Sequence, residues 1–261
     1  MNRVAKRKKS SVWLKVIMVI GILMAVIGSL TLGYFAYDNY QFNQRNARLV
    51  KKALEKKKES KSDSNEVNAF EAKYGVPKAV LSVPKIKLKI GLYKERDSDQ
   101  ENNEILSNAA TVLQHTDWVT GGIGKNAAVA AHSGLQINAL FDQIDQLKKK
   151  DKFYIHVNGE IHTYQVDQIK KVLPDDTKYL ARKADKDYIT LITCTPKVIN
   201  DHRLLVRGRR VPNETTEKPV KQKKASGLNR EEVMLFVVAS GVVLMIMAYV
   251  IYKGRGKKHE D

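Results

Sequence analysis

Cysteine is almost absent from this chain: its 261 residues hold one, Cys194. A single cysteine excludes an intramolecular disulfide framework and leaves a thiol free for chemistry. Acidic residues are also few, with 28 Asp and Glu against 46 Lys and Arg, for a formal net charge of +18. In a chain without other features that balance points to nucleic acid. Here two long uncharged runs override it, and a basic surface facing anionic membrane lipid or wall polymer accounts for the charge equally well. No nucleic-acid partner is expected. No metal constellation is visible either. The acidic run at 97–104 lacks the glycine and the full spacing of an EF-hand loop and reads as a solvated loop. Neither a metal nor a cofactor is expected, and no internal repeat is present.

The uncharged runs set the expected layout. Residues 1–11 form a basic tail with Arg3, Lys6, Arg7, Lys8 and Lys9. Residues 16–37 carry no charge and would span about 33 Å as a helix, enough to cross a bilayer core. No convincing small-x-small cleavage site precedes Asp38, so 12–37 reads as an uncleaved anchor rather than a signal peptide. A second uncharged run, 233–252, would span about 30 Å as a helix. It is followed by a basic tail, 253–261. Residues 38–79 are polar and lysine-rich with sparse Leu49, Leu54 and Phe70, and read as a polar stalk or linker. Residues 212–232, rich in Lys, Thr, Glu and Pro, read as a flexible tether. Two spans place both termini on one side of a membrane and the middle on the other. Lysines on both sides of the first span blunt the charge argument for which side is which.

The middle, 80–211, is mostly β. Candidate strands are 80–90, 109–113, 127–131, 153–157, 161–166, 169–173, 188–193 and 203–207. Asn158-Gly159 between two of them is a type I′ hairpin signal. Leu140, Ile144 and Leu147 fall at helical spacing within 138–147. Many short strands with few helices suggest a closed or nearly closed barrel.

The stretch 188–210 carries the chemistry. Residues 188–193 are apolar and β-branched, a buried strand. Cys194 sits at its end, before Thr195 and Pro196, and Pro196 cannot continue a paired central strand. A second strand begins at Arg203 and is expected to stop at Gly208. A guanidinium near a thiol favours the thiolate, the form that attacks a carbonyl carbon. Such a nucleophile needs a group that can protonate a leaving amine, and histidine suits this near neutral pH. His132 follows a buried strand and precedes the Ser133-Gly134 turn. His115 is the second candidate. His156 and His162 belong to a hairpin, and Arg207, Arg209 and Arg210 read as a solvated basic edge.

The run Thr-Leu-Ile-Thr-Cys-Thr-Pro at 190–196, then Asn200 and Arg-Leu-Leu-Val-Arg-Gly at 203–208, resembles the signature of the sortases, cysteine transpeptidases of Gram-positive surfaces. The Cys-Thr-Pro and Arg-Leu-Leu-Val-Arg-Gly pieces look most like the class C, pilus-building branch. The resemblance implies an eight-stranded β-barrel with short helices on the extracellular side of the membrane. It implies Cys194 as nucleophile, His132 as proton donor, and Arg203 as the group that steadies oxyanion charge and the substrate backbone. Thr193 and Thr195 are expected to shape the substrate groove. The implied substrate is a Leu-Pro-x-Thr-Gly sorting peptide, cleaved between Thr and Gly and transferred to a pilin lysine or to a cell-wall peptide amine.

Two departures stand out. Ala131 replaces the usual glycine before the histidine, and Ser133 follows where arginine or asparagine is common. In addition, class C sortases commonly place an Asp-Pro-aromatic lid over the cysteine. Residues 38–82 contain no Asp-Pro pair, and their only proline is Pro77, so no such lid is expected. A cysteine peptidase and a membrane-tethered binding module on a degenerate barrel are the alternatives. Papain-like enzymes place cysteine before histidine in the chain, the reverse of the order here.

Overall fold

The structure, a computed structural model, describes residues 4–55, 69–133, 140–197 and 199–213. The expected second span at 233–252, the tail at 253–261 and the tether beyond residue 213 lie outside the described residues. Two compact units divide the chain. One takes the N-terminal run through Tyr40, and the other begins at Gln41 and holds the barrel.

In the first unit the chain is one continuous helix, α1 (Val4–Glu55), which runs on into the second. The part Val19–Glu55 is long and apolar enough to cross a membrane. Leu23, Met24, Ile27, Leu30 and Leu32 stand exposed along it, an arrangement suited to lipid rather than water. Ser29 and Thr31 donate back to the carbonyls of Ala25 and Gly28 at 2.8 and 2.9 Å. Their hydroxyls are thus satisfied inside the helix, as a hydrocarbon surrounding requires.

In the second unit eight strands close into a barrel, in the order β1-β2-β3-β4-β7-β8-β6-β5. Pro84 shapes the first two. It lacks an N–H and opens a single 3-10 turn, Pro84–Ile86, which ends at Lys87 with φ 52°. The chain reverses there, so β1 (Ala79–Val83) and β2 (Leu88–Lys94) pair antiparallel where one strand over 80–90 was expected. β3 (Ala110–Val112) and β4 (Lys125–Ala130) follow. β5 (Lys152–Val157) and β6 (Glu160–Val172) turn at Asn158-Gly159, whose φ values of 52° and 80° suit the expected I′ hairpin. The expected strands at 161–166 and 169–173 are a single strand, β6, with a register shift between Val166 and Gln168. β7 (Asp187–Thr195) and β8 (His202–Val211) complete the set. β2–β3 and β4–β7 pair in parallel.

β8 runs through Gly208 rather than stopping there. A Cβ at Gly208 would lie 2.5 Å from the Phe153 ring. The glycine makes room for Phe153, which stacks on Tyr164 at 5.6 Å inside the barrel. Around that pair the core packs Leu81, Ile90, Leu92, Val129, Ile189, Leu191 and Val206. Each strand gives alternate residues to it, as a filled small barrel requires.

Three expectations about the connections need correction. Within 138–147, residues 138–139 lie outside the described residues and the remainder forms only a 3-10 turn, Ile144–Gln146. Phe141, Ile144 and Leu147 point into the core; their three-residue spacing fits the three-residue turn of a 3-10 helix. The acidic run is not a loop but the helix α3 (Asp99–Leu106), whose Ser98 cap accepts from the Glu101 backbone at 3.5 Å. Its Ile105 is fully buried.

The third concerns the expected stalk at 38–79: residues 56–68 lie outside the described residues, and the described parts on either side carry buried apolar residues. Phe42, Leu49 and Val50 at the end of α1 are buried. Asn46 donates to the Lys89 carbonyl of β2 at 3.0 Å. The short helix α2 (Ala69–Tyr74) adds Phe70 and Tyr74, which with Leu49 cluster against Tyr93, Ile105 and Ala109. Phe42 lies about two turns before the adjacent Leu49 and Val50 on one side of the helix, so a narrow apolar stripe among lysines is enough to dock it.

Candidate active site

Cys194 is the next-to-last residue of β7, directly opposite Arg203 of β8. Opposed residues of an antiparallel pair project to the same side of the sheet. β4 runs parallel to β7, from Lys125 beside Asp187 to Ala130 beside Ile192. Continued past the ladder's end, the same register brings His132 beside Cys194. His132, Cys194 and Arg203 thus form one row across three neighbouring strands, and all three are half-buried.

The row lies on the outer face of the barrel. Ile189 and Leu191 of β7 point to the core, so Ile192 and Cys194 alternate outward. Ile192 joins Ala128, Val172 and Leu205 in a separate apolar cluster, with Leu113, Tyr179 and Leu180 packed against it. Tyr179 and Leu180 belong to a 3-10 turn, Thr177–Leu180, in the β6–β7 connection. Asn126 holds that turn by donating to the Leu180 carbonyl at 3.0 Å, and Arg182 binds Asp117 at 2.8 Å. The result is an apolar floor with one wall, leading along β7 to the thiol.

The polar groups of the row are set individually. Burial holds the His132 imidazole below its ordinary pKa, because the charged ring loses solvation. Arg203 donates through Nη1 to the carbonyls of Asn200 and His202, both at 3.1 Å, and so anchors the β7–β8 connection. Ser133, nearly buried, donates its hydroxyl to the Cys194 carbonyl at 2.7 Å. Among the described residues no three His, Cys, Asp or Glu side chains gather as a metal site.

The other named residues fall elsewhere. Thr193 alternates to the side opposite Cys194, is buried, and donates to the Ala131 carbonyl at 2.8 Å. It faces the barrel interior rather than a groove on the thiol's face. Thr195 shares that alternate side and pairs with His202. His115 is exposed on the turn after β3, near the start of β4, whereas His132 follows that strand's end. His156 and His162 sit in the β5–β6 hairpin as expected. Arg207 is no solvated edge. It makes a two-pronged ion pair with Asp167 at 3.0 and 2.9 Å and lies over the Tyr188 ring at 4.1 Å.

Sequence reading missed Ser133 and Thr193 as ties across the site. Both stood next to a candidate catalytic residue, but which carbonyl a hydroxyl reaches depends on the long-range β4–β7 pairing.

Barrel and row together fit a cysteine-dependent acyl-transfer enzyme. Comparison with known proteins gives the class its name. The Sortase domain family matches residues 81–211. Sortase A of Bacillus anthracis is 30% identical over 203 residues, which cover 73% of this chain and 92% of that relative. The solved structure of sortase C1 from Streptococcus suis superposes with a TM-score of 0.51 at 29% identity, covering 65% of this chain and 98% of that one. That of Streptococcus agalactiae sortase C1, in complex with MTSET, gives 0.50 at 31% identity over 73% and 93%. The chain belongs to the sortase family and is a cysteine transpeptidase. A binding module on a degenerate barrel is thereby set aside.

Proposed function

We propose that this sortase is a membrane-anchored enzyme of the pilus-building kind, with Cys194, His132 and Arg203 as its working groups. The alignment of these three side chains on adjacent strands, at the end of an apolar floor, is the observation that carries the reading. The Leu and Pro of a Leu-Pro-x-Thr-Gly peptide lie on the floor of Ala128, Ile192 and Leu205 against the Tyr179–Leu180 wall. The Thr carbonyl then reaches Cys194.

Sγ of Cys194 bonds to the Thr carbonyl carbon while His132 takes the thiol proton. A neutral imidazole is the form that can accept it, and burial favours that form. The carbonyl oxygen gains negative charge beside Arg203. A guanidinium carries five N–H donors and stays charged, so anchoring the loop through Nη1 leaves donors for the oxyanion. The carbon–nitrogen bond breaks, and His132 returns the proton to the departing glycine amine. A thioester remains on Cys194. An acceptor amine then attacks the thioester, and the thiolate leaves and regains its proton through His132.

A pilin lysine is the proposed acceptor. It rests on the Cys-Thr-Pro and Arg-Leu-Leu-Val-Arg-Gly motifs and on the likeness to class C structures. A cell-wall peptide amine is the second reading, because the Bacillus anthracis relative carries the class A name. The barrel faces outward from the cell, α1 is the anchor, and 233–252 is a second span. Residues 38–82 hold no Asp-Pro pair from which such a lid could be built, and Phe70 and Tyr74 are buried against β2 and α3.

The test uses full-length enzyme in detergent with a Leu-Pro-x-Thr-Gly peptide. Lysine side-chain amine and cell-wall peptide amine compete as acceptors, with water as the background. Preferential joining to the lysine amine is expected. Preferential joining to the wall amine would favour the second reading, and hydrolysis alone with both amines present would sink transfer altogether.

A further inference from the structure

We propose that Ser133 and Thr193 form a hydroxyl clasp that positions His132 against Cys194. The inference rests on the reading of Cys194 and His132 as a catalytic pair and adds two positioning residues to it.

The clasp takes over where the sheet gives out. Regular β4–β7 pairing ends at Ala130 beside Ile192, before His132 is reached. One backbone bond follows, from Ala131 N–H to the Ile192 carbonyl at 3.2 Å. From there two side chains bridge the strands in opposite directions. Thr193 donates from β7 to the Ala131 carbonyl at 2.8 Å, and Ser133 donates from the β4 extension to the Cys194 carbonyl at 2.7 Å. The residues on either side of His132 are therefore tied to Thr193 and to Cys194 itself. The His132 carbonyl is held a third way, by the Phe141 N–H at 2.9 Å.

Both hydroxyls belong to residues only 5% exposed, so water competes poorly for them and the bonds keep their geometry. Among the described residues no side-chain hydrogen bond acts on the His132 ring, and burial is the cause of its shift. The ring's place is therefore set by its backbone, and the clasp sets the backbone. Small misplacements of a proton-carrying group are costly in rate. Serine after the histidine, where the family commonly has arginine or asparagine, is what supplies the second bond.

The experiment uses full-length enzyme in detergent. It compares Ser133→Ala, Thr193→Val, Ser133→Thr and Thr193→Ser, and places the first two also in a His132→Ala background. Three readouts are taken: kcat and KM on a fluorogenic Leu-Pro-x-Thr-Gly peptide, the melting temperature, and alkylation of the sole thiol by iodoacetamide at pH 7, which works where turnover is too slow. Ser133→Ala and Thr193→Val should each lower kcat about tenfold with KM within about twofold. Ser133→Thr and Thr193→Ser should recover most of that loss. In the His132→Ala background neither removal should slow turnover or alkylation further. Wild-type kcat in Ser133→Ala and Thr193→Val, with His132→Ala inactive, would overturn the clasp and leave the catalytic pair standing. An undiminished further loss in the His132→Ala background would show that the hydroxyls act on the fold or on Cys194 alone. If His132→Ala keeps the wild-type rate, the pair fails and the clasp with it. Should Ser133→Ala not fold, the Thr193 variants decide by the same criteria.

Discussion

On the β2 side of the barrel the outer face is sealed, and on the β4–β7–β8 side it is left half open. The sealed side stacks Tyr93 of β2 under Phe70 and Tyr74 of α2, with Leu49 of α1 and Ile105 of α3 closing the cluster. Phe70 meets Tyr74 at 4.9 Å and Tyr93 at 5.6 Å. Its polar atoms are matched as well. Tyr93 donates to the Gly75 carbonyl at 3.0 Å, and Tyr74 to Glu104 at 2.8 Å. The open side has smaller apolar residues, Ala128, Val172, Ile192 and Leu205, and a half-buried row of thiol, imidazole and guanidinium. One fold thus seals one wall with an aromatic cluster that holds the barrel and leaves the floor of the other free for a peptide. Side chains on the sealed wall should govern stability, and those on the open wall should govern rate.

The largest effect that sharpens this contrast belongs to the open wall. His132→Ala and Arg203→Ala should each lower kcat/KM by about a hundredfold or more, the scale of a lost general acid or oxyanion donor. Their melting temperatures should stay close to wild type. A severe His115→Ala with a mild His132→Ala would move the histidine role to the wrong end of β4 and break the row.

Next comes the sealed wall. Phe70→Ala should cost about 3 kcal/mol of stability, the usual loss for a buried phenylalanine. Turnover per folded molecule and the rate of Cys194 alkylation should hardly change. Faster alkylation with the fold intact would mean that the segment around Phe70 also screens the thiol, and the two walls would not be separate.

The smallest effect concerns pH. Burial lowers the His132 pKa in the folded enzyme, so the unfolded chain takes up that proton first as pH falls. This contribution to stability is intact above the ordinary histidine value of about 6.5 and is lost as pH drops through it. The melting temperature should therefore fall more steeply from pH 7 to pH 5 in the wild type than in His132→Gln. Equal slopes would mean that His132 is solvated in solution.

Particular residues show what could be read in the sequence and what could not. The Cys194–Arg203 pairing was legible because both lie on one local hairpin whose strands are marked by composition. The number of strands came out right through two compensating differences. Pro84 splits the first expected strand, and β6 fuses two others across a bulge. α3 was missed although Ser98 and Glu101 have the spacing of a capping box, because the acidic composition suggested a loop. The docking of α1 was hidden by lysines, since the apolar stripe of Phe42, Leu49 and Val50 is narrow. The position of His132 beside Cys194 depends on a parallel pairing between strands far apart in the chain, which no local pattern encodes. The inward turn of Thr193 follows from the same register.

The central claim is that Cys194, placed in that row, carries the acyl group. It is tested most directly by trapping full-length enzyme with a Leu-Pro-x-Thr-Gly peptide without an acceptor amine and mapping the adduct by mass spectrometry. The expected result is a mass increase equal to the peptide through its threonine less one water, located on Cys194, released by an added amine and absent from Cys194→Ala. An adduct on any other residue, or turnover by folded Cys194→Ala, would contradict it.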